Sequence, residues 1–230
     1  MALKINKKDF WERQLDKRRG RWMQTYTGKQ YFPLAPHPDD VDIEDIAHSL
    51  SLQCRFNGHC EKYYSVAEHS RRCVDAISMM WPDIFNEVFS SLPEDQDKAF
   101  EVLFDEYMLP LKKMALLHDA AEAYMCDLPR PFKKSINNYK KYEELNMAAI
   151  ITHFDIWPKH PVITKKYVKI VDNVMLMTEK RDLMKEAPAL WEMEGIVEPL
   201  DNPIYFPQNC KDAEKTFMMY YDCLFNGEGN

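Results

Sequence analysis

The sequence predicts an all-α protein. Only 6 of its 230 residues are glycine whereas 14 are methionine, and long segments are rich in Leu, Met, Ala, Lys and Glu, which favour helices. The hydrophobic fraction of 46% is sufficient for a sizeable core, and a chain of this length fits one large domain. Because there is no internal repeat and no low-complexity tract, we predict a single domain over residues 1–230.

Charge and cysteine content narrow the class of protein. The net charge of −7 argues against binding to a nucleic-acid polymer, although it does not exclude one small anionic ligand at a local site. The six cysteines contain no C-x-x-C pair, so reduced thiols are expected rather than a disulfide scaffold. The first residues are strongly charged, and no apolar run is long enough to span a bilayer. We therefore expect a cytoplasmic protein without a membrane partner.

The N-terminal part is predicted to hold a basic helix followed by a loop. Lys4–Arg21 is the helix, and it carries Phe10 and Trp11 among its basic residues. Such a helix either contacts nucleic acid or membrane, or is solvated and docks through its aromatic residues. The acidic remainder of the chain favours the docked helix. Residues 25–38 are rich in turn-forming residues and are predicted to be an ordered loop.

Two N-terminal capping signals mark the next helices. Asp42 begins a helix to about Cys54, with Asp45 at the spacing of a capping box. The sequence Ser65-Val-Ala-Glu has the same spacing and begins a helix to about Trp81. These two segments are therefore predicted to be helices that are joined by a short turn.

The turn between them carries Arg55 and Phe56, followed by Asn57-Gly58 and His59. An arginine beside an aromatic ring can bind a nucleotide, because the ring stacks on a base and the guanidinium binds a phosphate. The alternative is a helix end with a packed phenylalanine and a surface arginine.

The second half of the chain is predicted to be helical with proline-marked breaks. Residues 82–109 are predicted to form one or two short helices and a loop. A central helix over Leu111–Cys126 ends at Asp127-Leu-Pro-Arg-Pro, because proline cannot continue a helix. The remaining predicted helices are Asn138–Phe154, Lys165–Glu186 with Thr164 as its cap, and Lys211–Phe225.

The central helix combines apolar residues with three adjacent ionisable groups. His118 and Glu122 lie one turn apart on the same helix face, and Asp119 lies beside them. Burying unpaired charge is unfavourable, so three such groups on an Ala/Leu helix need a shared explanation. A divalent cation with an activated water is the simplest one.

Two further polar residues lie at fixed positions on other helices. His69 is in the first turn after Ser65, where a histidine commonly serves as a structural hydrogen-bonding group. Asp172 interrupts an apolar row that includes Val171 and Met175. Its alternatives are a metal ligand, a surface salt bridge or a helix-to-helix hydrogen bond.

The order His69, His118-Asp119, Asp172 resembles the H…HD…D signature of HD-domain metal-dependent phosphohydrolases. Two local sequences are similar to the 5′-deoxynucleotidase (YfbR-like) branch, namely Tyr64-Ser-Val-Ala-Glu-His-Ser70 and Leu117-His-Asp-Ala-Ala-Glu-Ala-Tyr-Met-Cys-Asp-Leu-Pro-Arg-Pro-Phe-Lys133. The resemblance implies an HD-domain helical bundle with a core over about 42–186, an N-terminal extension over 1–41 and an insertion over 82–110.

The resemblance also implies roles for individual residues. The metal ligands would be His69, His118, Asp119 and Asp172, and the ion would be Mn²⁺, Co²⁺, Fe²⁺, Mg²⁺ or Zn²⁺. Two imidazoles and two carboxylates suit these ions better than an ion that prefers thiolates. Glu122 matches the acid that orients or deprotonates the attacking water.

The substrate-binding residues are implied in the same way. Asp127 matches a second acid near the phosphate. Arg55 and Phe56 match an Arg-Trp pair that holds the nucleotide, with phenylalanine in place of tryptophan. His59 is expected in the substrate pocket or in a structural role, and so is His48.

The activity implied is release of phosphate from deoxynucleoside 5′-monophosphates. One alternative is a dNTP triphosphohydrolase, for example for dATP, that releases triphosphate. Another is a nucleotide-binding regulator without catalysis. Alarmone hydrolysis is less compatible with the sequence, because no E-D-x-x-E-D motif lies between the second and third ligand helices.

Three further sequences resemble phage-encoded relatives and suggest control of nucleotide pools during infection, namely Tyr26-Thr-Gly28, Asp42-Ile-Glu-Asp-Ile-Ala-His48 and Arg55-Phe-Asn-Gly-His59. The resemblance also suggests a homodimer.

Overall fold

The computed structural model describes residues 7–15, 17–18 and 21–227. These residues are mostly helical, which confirms the all-α prediction. The α-helices are α1 (Lys7–Leu15), α2 (Ile43–Leu52), α3 (Val66–Met79), α4 (Trp81–Val88), α5 (Gln96–Val102), α6 (Leu109–Leu117), α7 (Glu122–Met125), α8 (Arg130–Lys133), α9 (Tyr139–His153), α10 (Pro161–Leu183) and α11 (Cys210–Phe225). Among the described segments, no helix is both long and apolar enough to cross a membrane.

The N-terminal region differs from its prediction in two ways. Helix α1 ends at Leu15 and not at residue 21, while residues 4–6, 16, 19 and 20 of the predicted helix lie outside the described residues. The predicted loop contains part of a small antiparallel hairpin of strands β1 (Met23–Gln24) and β2 (Gln30–Tyr31). The hairpin turn uses Gly28 at φ 85°, a conformation that glycine adopts without strain.

Helix α2 begins at its predicted cap but without the predicted capping box. The Asp42 carboxylate accepts a hydrogen bond from the Glu44 backbone N–H at 2.9 Å. The Asp45 side chain instead contacts the hairpin. Its carboxylate accepts hydrogen bonds from the Thr27 N–H at 2.7 Å and from the Thr27 hydroxyl at 3.0 Å. The buried Asp45 therefore attaches α2 to the N-terminal segment.

Helix α3 is capped by Ser65 as predicted, since its hydroxyl accepts from the Glu68 N–H at 3.1 Å, but the Glu68 carboxylate accepts from Arg72 and from the Gln208 N–H instead of completing a capping box. Residues 82–109 contain α4, α5 and a π-helical segment, Leu103–Met108, which agrees with the predicted short helices. Helix α10 begins at Pro161 rather than at residue 165, because proline fits the first helical turn. Thr164 is not its cap, as its hydroxyl donates to the His160 carbonyl at 3.0 Å from inside the helix.

The predicted central helix is interrupted where its ionisable residues begin. Helix α6 ends at Leu117, residues 118–121 form a turn, and α7 starts at Glu122. The turn is tightened by hydrogen bonds of the i→i−3 type, including Glu122 N–H to the Asp119 carbonyl at 2.9 Å. Residues three apart lie above one another in such a turn, so Asp119 and Glu122 are on one side.

The core is built around α3, which packs against α6, α10 and α11. Ile77, Leu116 and Phe217 are among its fully buried side chains. Tyr31 and Val41 belong to the same cluster, so the segment before α2 contributes to the core. The packing of α6 and α10 on α3 brings the polar residues of three elements to one place.

Candidate metal centre and adjoining cavity

Four side chains of the kinds that bind metals meet between α3, the turn after α6, and α10. His69 Nε2 lies 3.3 Å from His118 Nε2. It also lies 3.7 Å from Asp119 Oδ2 and 3.7 Å from Asp172 Oδ1, and His118 Nε2 is 3.3 Å from Asp119 Oδ2. The structure thus brings together all four residues that the sequence analysis assigned as ligands.

The other nitrogen of each imidazole has an acceptor, which fixes the orientation of the ring. His118 Nδ1 lies 2.8 Å from the Ala115 carbonyl oxygen, and His69 Nδ1 lies 2.5 Å from Glu179 Oε1. Because these oxygens accept hydrogen bonds, each Nδ1 carries a hydrogen, and each Nε2 is left to bind a metal ion when the ring is neutral. This is the usual arrangement of histidines that bind a metal.

Cys73 lies beside the same centre and was missed by the sequence analysis. Its Sγ is 3.6 Å from His69 Nε2, and the side chain is buried. His69, Cys73 and His118 form a group whose ligand atoms could hold a metal ion. The spacing of four residues between His69 and Cys73 was the available signal, since it places both on one helix face.

The centre is electrostatically suited to a cation. Burial opposes the charged form of His118, yet the carboxylates of Asp119 and Asp172 raise its pKa to about 9. The pKa of Asp119 is lowered, because His118, His69 and Arg55 outweigh the effect of burial. The carboxylates therefore require nearby positive charge, which a proton or a divalent ion can supply.

Glu179 links this centre to Arg55 and was also missed. It is completely buried on α10. One carboxylate oxygen binds His69 Nδ1, and the other accepts from Arg55 Nε at 3.0 Å. Burial opposes its ionisation, but Arg55 and His69 lower its pKa. Its position seven residues after Asp172, two turns along the same face, could have revealed it.

Arg55 extends from a strained turn toward the centre. The following residues, Phe56 and Asn57, have φ values of 54° and 53°, which are uncommon for residues other than glycine. The turn is held in place because the Arg55 N–H donates to the Tyr64 carbonyl at 2.9 Å. The buried Arg55 Nη1 lies 3.5 Å from Asp119 Oδ2. Backbone strain of this kind is concentrated at functional sites.

A cavity of about 830 Å³ opens beside the centre. Its lining combines acids, cations and aromatic rings. The acids include Asp119, Glu122, Asp127 and Asp172, the cations are Arg55, Arg130, Lys133 and Lys169, and the rings include Phe56, His59 and Trp191. The structure therefore places every residue assigned to catalysis or substrate binding on this cavity, and adds Arg130, Lys133, Lys169 and Trp191.

Glu122 faces this cavity with one unpaired oxygen. Its Oε1 accepts from Lys133 Nζ at 3.1 Å, whereas its buried Oε2 has no hydrogen-bond partner among the described residues. Burial, followed by the charges of Asp119 and Asp127, raises its pKa well above the usual value. Such a carboxylate is a stronger base than an exposed one and has a free oxygen for a water or substrate atom.

Asp127 is positioned by the end of α2. Its backbone N–H donates to Gln53 Oε1 at 2.9 Å, and Gln53 Nε2 donates to the Glu122 carbonyl at 3.1 Å. Burial raises the pKa of the Asp127 carboxyl.

His48, in contrast to His59, is not among the cavity-lining residues. Its ring binds Glu214 and stacks on Tyr26, at 3.7 Å between ring centroids.

Asp172 uses its two oxygens differently. Oδ1 faces His69, whereas Oδ2 accepts from Lys169 Nζ at 2.8 Å and from Arg130 Nη2 at 3.2 Å. The salt-bridge alternative is therefore correct for one oxygen, while the other remains directed at the centre. Lys169 and Arg130 also hold positive charge at the wall of the cavity.

Fold and site define an all-α protein with a buried histidine–carboxylate centre that adjoins a cavity lined by acidic, basic and aromatic side chains. No family model matches the chain. The uncharacterized protein YfdR of Escherichia coli (strain K12) is 35% identical over 176 residues, which cover 76% of this chain and 80% of YfdR. The uncharacterized protein RCAP_rcc00048 of Rhodobacter capsulatus is 29% identical over 165 residues, covering 70% and 72%. The chain belongs to the same family as YfdR.

Proposed function

We propose that this protein is a metal-dependent phosphohydrolase of the HD-domain type that acts on deoxynucleotides. The observation that carries the proposal is the convergence of His69, His118, Asp119 and Asp172 beside a cavity lined by four cations. Although the net charge of the chain is −7, the four cations in the cavity lining can contact the phosphate oxygens of one small ligand.

The four side chains would hold a divalent ion. Their donor atoms, two imidazole nitrogens and two carboxylate oxygens, suit Mn²⁺, Co²⁺, Fe²⁺, Mg²⁺ or Zn²⁺. Such an ion, when bound, lowers the pKa of a coordinated water and neutralises phosphate oxygens. Glu179 contributes by fixing the His69 ring through Nδ1.

Glu122 would act as the general base. Its free Oε2 can accept the proton of the attacking water, and its raised pKa brings its basicity toward neutral pH. Lys133 holds Oε1 and so orients the carboxylate. Asp127, whose pKa is also raised by burial, would be the second acid near the phosphate.

Arg55 would bind the substrate phosphate and Phe56 would contact the base, with His59 at the edge of the same pocket. Arg55 is already aligned, since Glu179 and Asp119 hold two of its nitrogens. A prealigned guanidinium loses less side-chain freedom when it binds an anion. From the sequence resemblance to 5′-deoxynucleotidases, we favour deoxynucleoside 5′-monophosphates as substrates, with inorganic phosphate as the product.

A second activity, dNTP hydrolysis with release of triphosphate, is favoured by the additional cations. Arg130, Lys133 and Lys169 line the cavity besides Arg55, and although each also forms an ion pair with Asp172 or Glu122, they are further donors that the phosphates of a dNTP could share. For either activity, we propose that the protein is a cytoplasmic homodimer. During phage infection, it would control nucleotide pools. A regulator that binds nucleotides without hydrolysis is the remaining alternative.

Product analysis separates these proposals. The purified protein is incubated with dAMP or dATP and Mn²⁺, and the products are resolved by chromatography. Deoxyadenosine with phosphate supports the monophosphatase, and deoxyadenosine with triphosphate supports the second activity. His118→Ala should abolish either reaction, whereas Asp45→Asn, which alters a buried acid at the hairpin, should retain it. No metal-stimulated hydrolysis across a nucleotide panel would leave only the regulator.

A further inference from the structure

The long connection between α10 and α11 forms part of the cavity wall. Residues 184–209 contain neither helix nor strand, yet Met184, Trp191, Glu192 and Met193 line the cavity. Connections of this length without secondary structure are uncommon in compact domains and are often functional. The sequence analysis assigned no role to this segment.

Trp191 is held in place by α10. Its backbone N–H donates to Glu194 Oε2 at 3.0 Å, and the Glu194 N–H donates to the Trp191 carbonyl at 2.9 Å. Lys180 of α10 forms an ion pair with Glu194 and lies 5.6 Å from the centroid of the Trp191 ring. A cation over an indole is attracted to its π-system. The ring is therefore supported by the helix that also carries Asp172.

Further bonds attach the rest of the connection to the same helix. The Leu200 N–H donates to the Thr178 hydroxyl at 2.9 Å, and Arg181 Nη1 donates to the Leu200 carbonyl at 2.7 Å. The Ile204 N–H donates to Asp182 Oδ2 at 2.7 Å. Trp191 thus belongs to a segment that is attached to α10 at Glu194, Leu200 and Ile204.

Trp191 meets Phe56, and the pair lies next to Arg55. The two ring centroids are 6.1 Å apart with an interplanar angle of 53°, so the rings form an apolar corner. Arg55 Cζ is 5.7 Å from the Phe56 centroid, while Arg55 Nη1 is 3.5 Å from Asp119 Oδ2. Along the cavity wall, the carboxylates of the centre are therefore followed by the Arg55 guanidinium and then by the rings of Phe56 and Trp191.

We infer that Trp191, together with Phe56, forms the platform on which the base of a nucleotide stacks. This inference rests on the proposed function and deepens it, because it adds Trp191 to the residues that contact the base. The phosphate lies at Arg55 and the centre, and the base lies at the aromatic corner. Stacking recognises the π-face that every base has, so the platform requires a base without selecting one by hydrogen bonds.

The test compares a substrate that has a base with one that lacks it. Equilibrium binding of dAMP and of 2-deoxyribose 5-phosphate is measured with Mn²⁺ in the Glu122→Gln protein, which is expected to bind without turnover. Adding Trp191→Ala should weaken dAMP binding about tenfold or more, as expected for loss of a base-stacking contact, and should leave the sugar phosphate unchanged. Trp191→Phe, which keeps a ring, should restore most of the dAMP affinity.

A fluorescence control locates the contact. Binding of dAMP should change the tryptophan emission, and this change should disappear in Trp191→Phe. It should persist in Trp81→Phe, since Trp81 is half exposed at the start of α4 and is not among the lining residues.

The outcomes distinguish the inference from the function on which it rests. An equal loss of affinity for both probes in Trp191→Ala, or no loss for either, would overturn the platform and leave the phosphohydrolase proposal intact. Failure of the protein with an unaltered Trp191 to bind either probe would overturn both.

Discussion

Glu179 is the residue through which the candidate metal centre and the substrate arginine depend on one another. It has no exposed surface, and its two oxygens bind His69 and Arg55. We predict that Glu179→Gln weakens metal binding and destabilises the metal-free protein. The substitution keeps the size of the side chain but removes the negative charge that both partners face.

The expected magnitudes follow from burial. Removing one partner of a buried ion pair costs about 3–5 kcal/mol of stability, because the remaining charge is left uncompensated. Asp119, 3.5 Å from Arg55, compensates part of that charge, so we expect a loss of about 3 kcal/mol. Loss of a residue that orients a metal-binding histidine lowers metal affinity about 10- to 100-fold.

Both effects are measured on the same protein. Denaturant unfolding of the metal-free form gives the change in the free energy of unfolding, and titration with Mn²⁺ gives the change in affinity. Asp45→Asn is the matched control, since it neutralises another buried acid whose partner is Thr27 rather than His69. It should alter stability without altering Mn²⁺ affinity. Unchanged Mn²⁺ affinity in Glu179→Gln would refute the link between Glu179 and the centre.

Three further predictions concern the general base Glu122, the Cys73 thiol and the contacts of Asn146 with the N-terminal segment. The pKa of Glu122 is raised from 4.5, and a general base must be deprotonated. We therefore expect kcat to rise with pH and to reach its plateau well above pH 4.5. A Glu122→Gln rate within twofold of the rate of the unaltered protein would exclude this role. The Co²⁺-loaded protein should show no sulfur-to-cobalt charge-transfer band, because burial raises the pKa of the Cys73 thiol and four other side chains hold the ion; a band that Cys73→Ser removes would add Cys73 to the ligands. Asn146→Ala should lower the free energy of unfolding by about 2–4 kcal/mol, because the buried Asn146 binds Tyr31 and Pro33; a loss below about 0.5 kcal/mol would contradict this.

The helix positions could be predicted where local signals determine them. Ser65 and Asp42 are caps in the structure because a side-chain oxygen before an apolar periodic segment can accept from a free N–H of the first turn. Thr164 also precedes an apolar periodic segment, but its prediction as a helix cap was wrong. Pro161 had already started that helix, and a threonine inside a helix can satisfy its hydroxyl with the carbonyl four residues earlier.

The break at residues 118–121 could not be predicted from periodicity. The segment is rich in Ala and Leu, which favours a continuous helix. The tight turn is instead stabilised by its surroundings, where Asp119 approaches Arg55 and His69. Tertiary contacts of this kind override local propensity, and such departures are expected at functional sites.

The candidate site was predicted in part. His69, His118, Asp119 and Asp172 were found from spacing and resemblance, and the structure brings them together. Cys73 and Glu179 had helical spacings that would have indicated them. Trp191 had no comparable signal, since it lies in an irregular segment without a helical or strand periodicity, and its position depends on Glu194 and on Lys180 of α10.

The most direct test of the metal centre is anomalous diffraction from a crystal grown with Mn²⁺. The account predicts one anomalous peak per chain, about 2.0–2.3 Å from the ligand atoms of His69, His118, Asp119 and Asp172, and no peak there in Asp119→Asn. A peak elsewhere in the chain, or none at this position in the unaltered protein, would contradict the account.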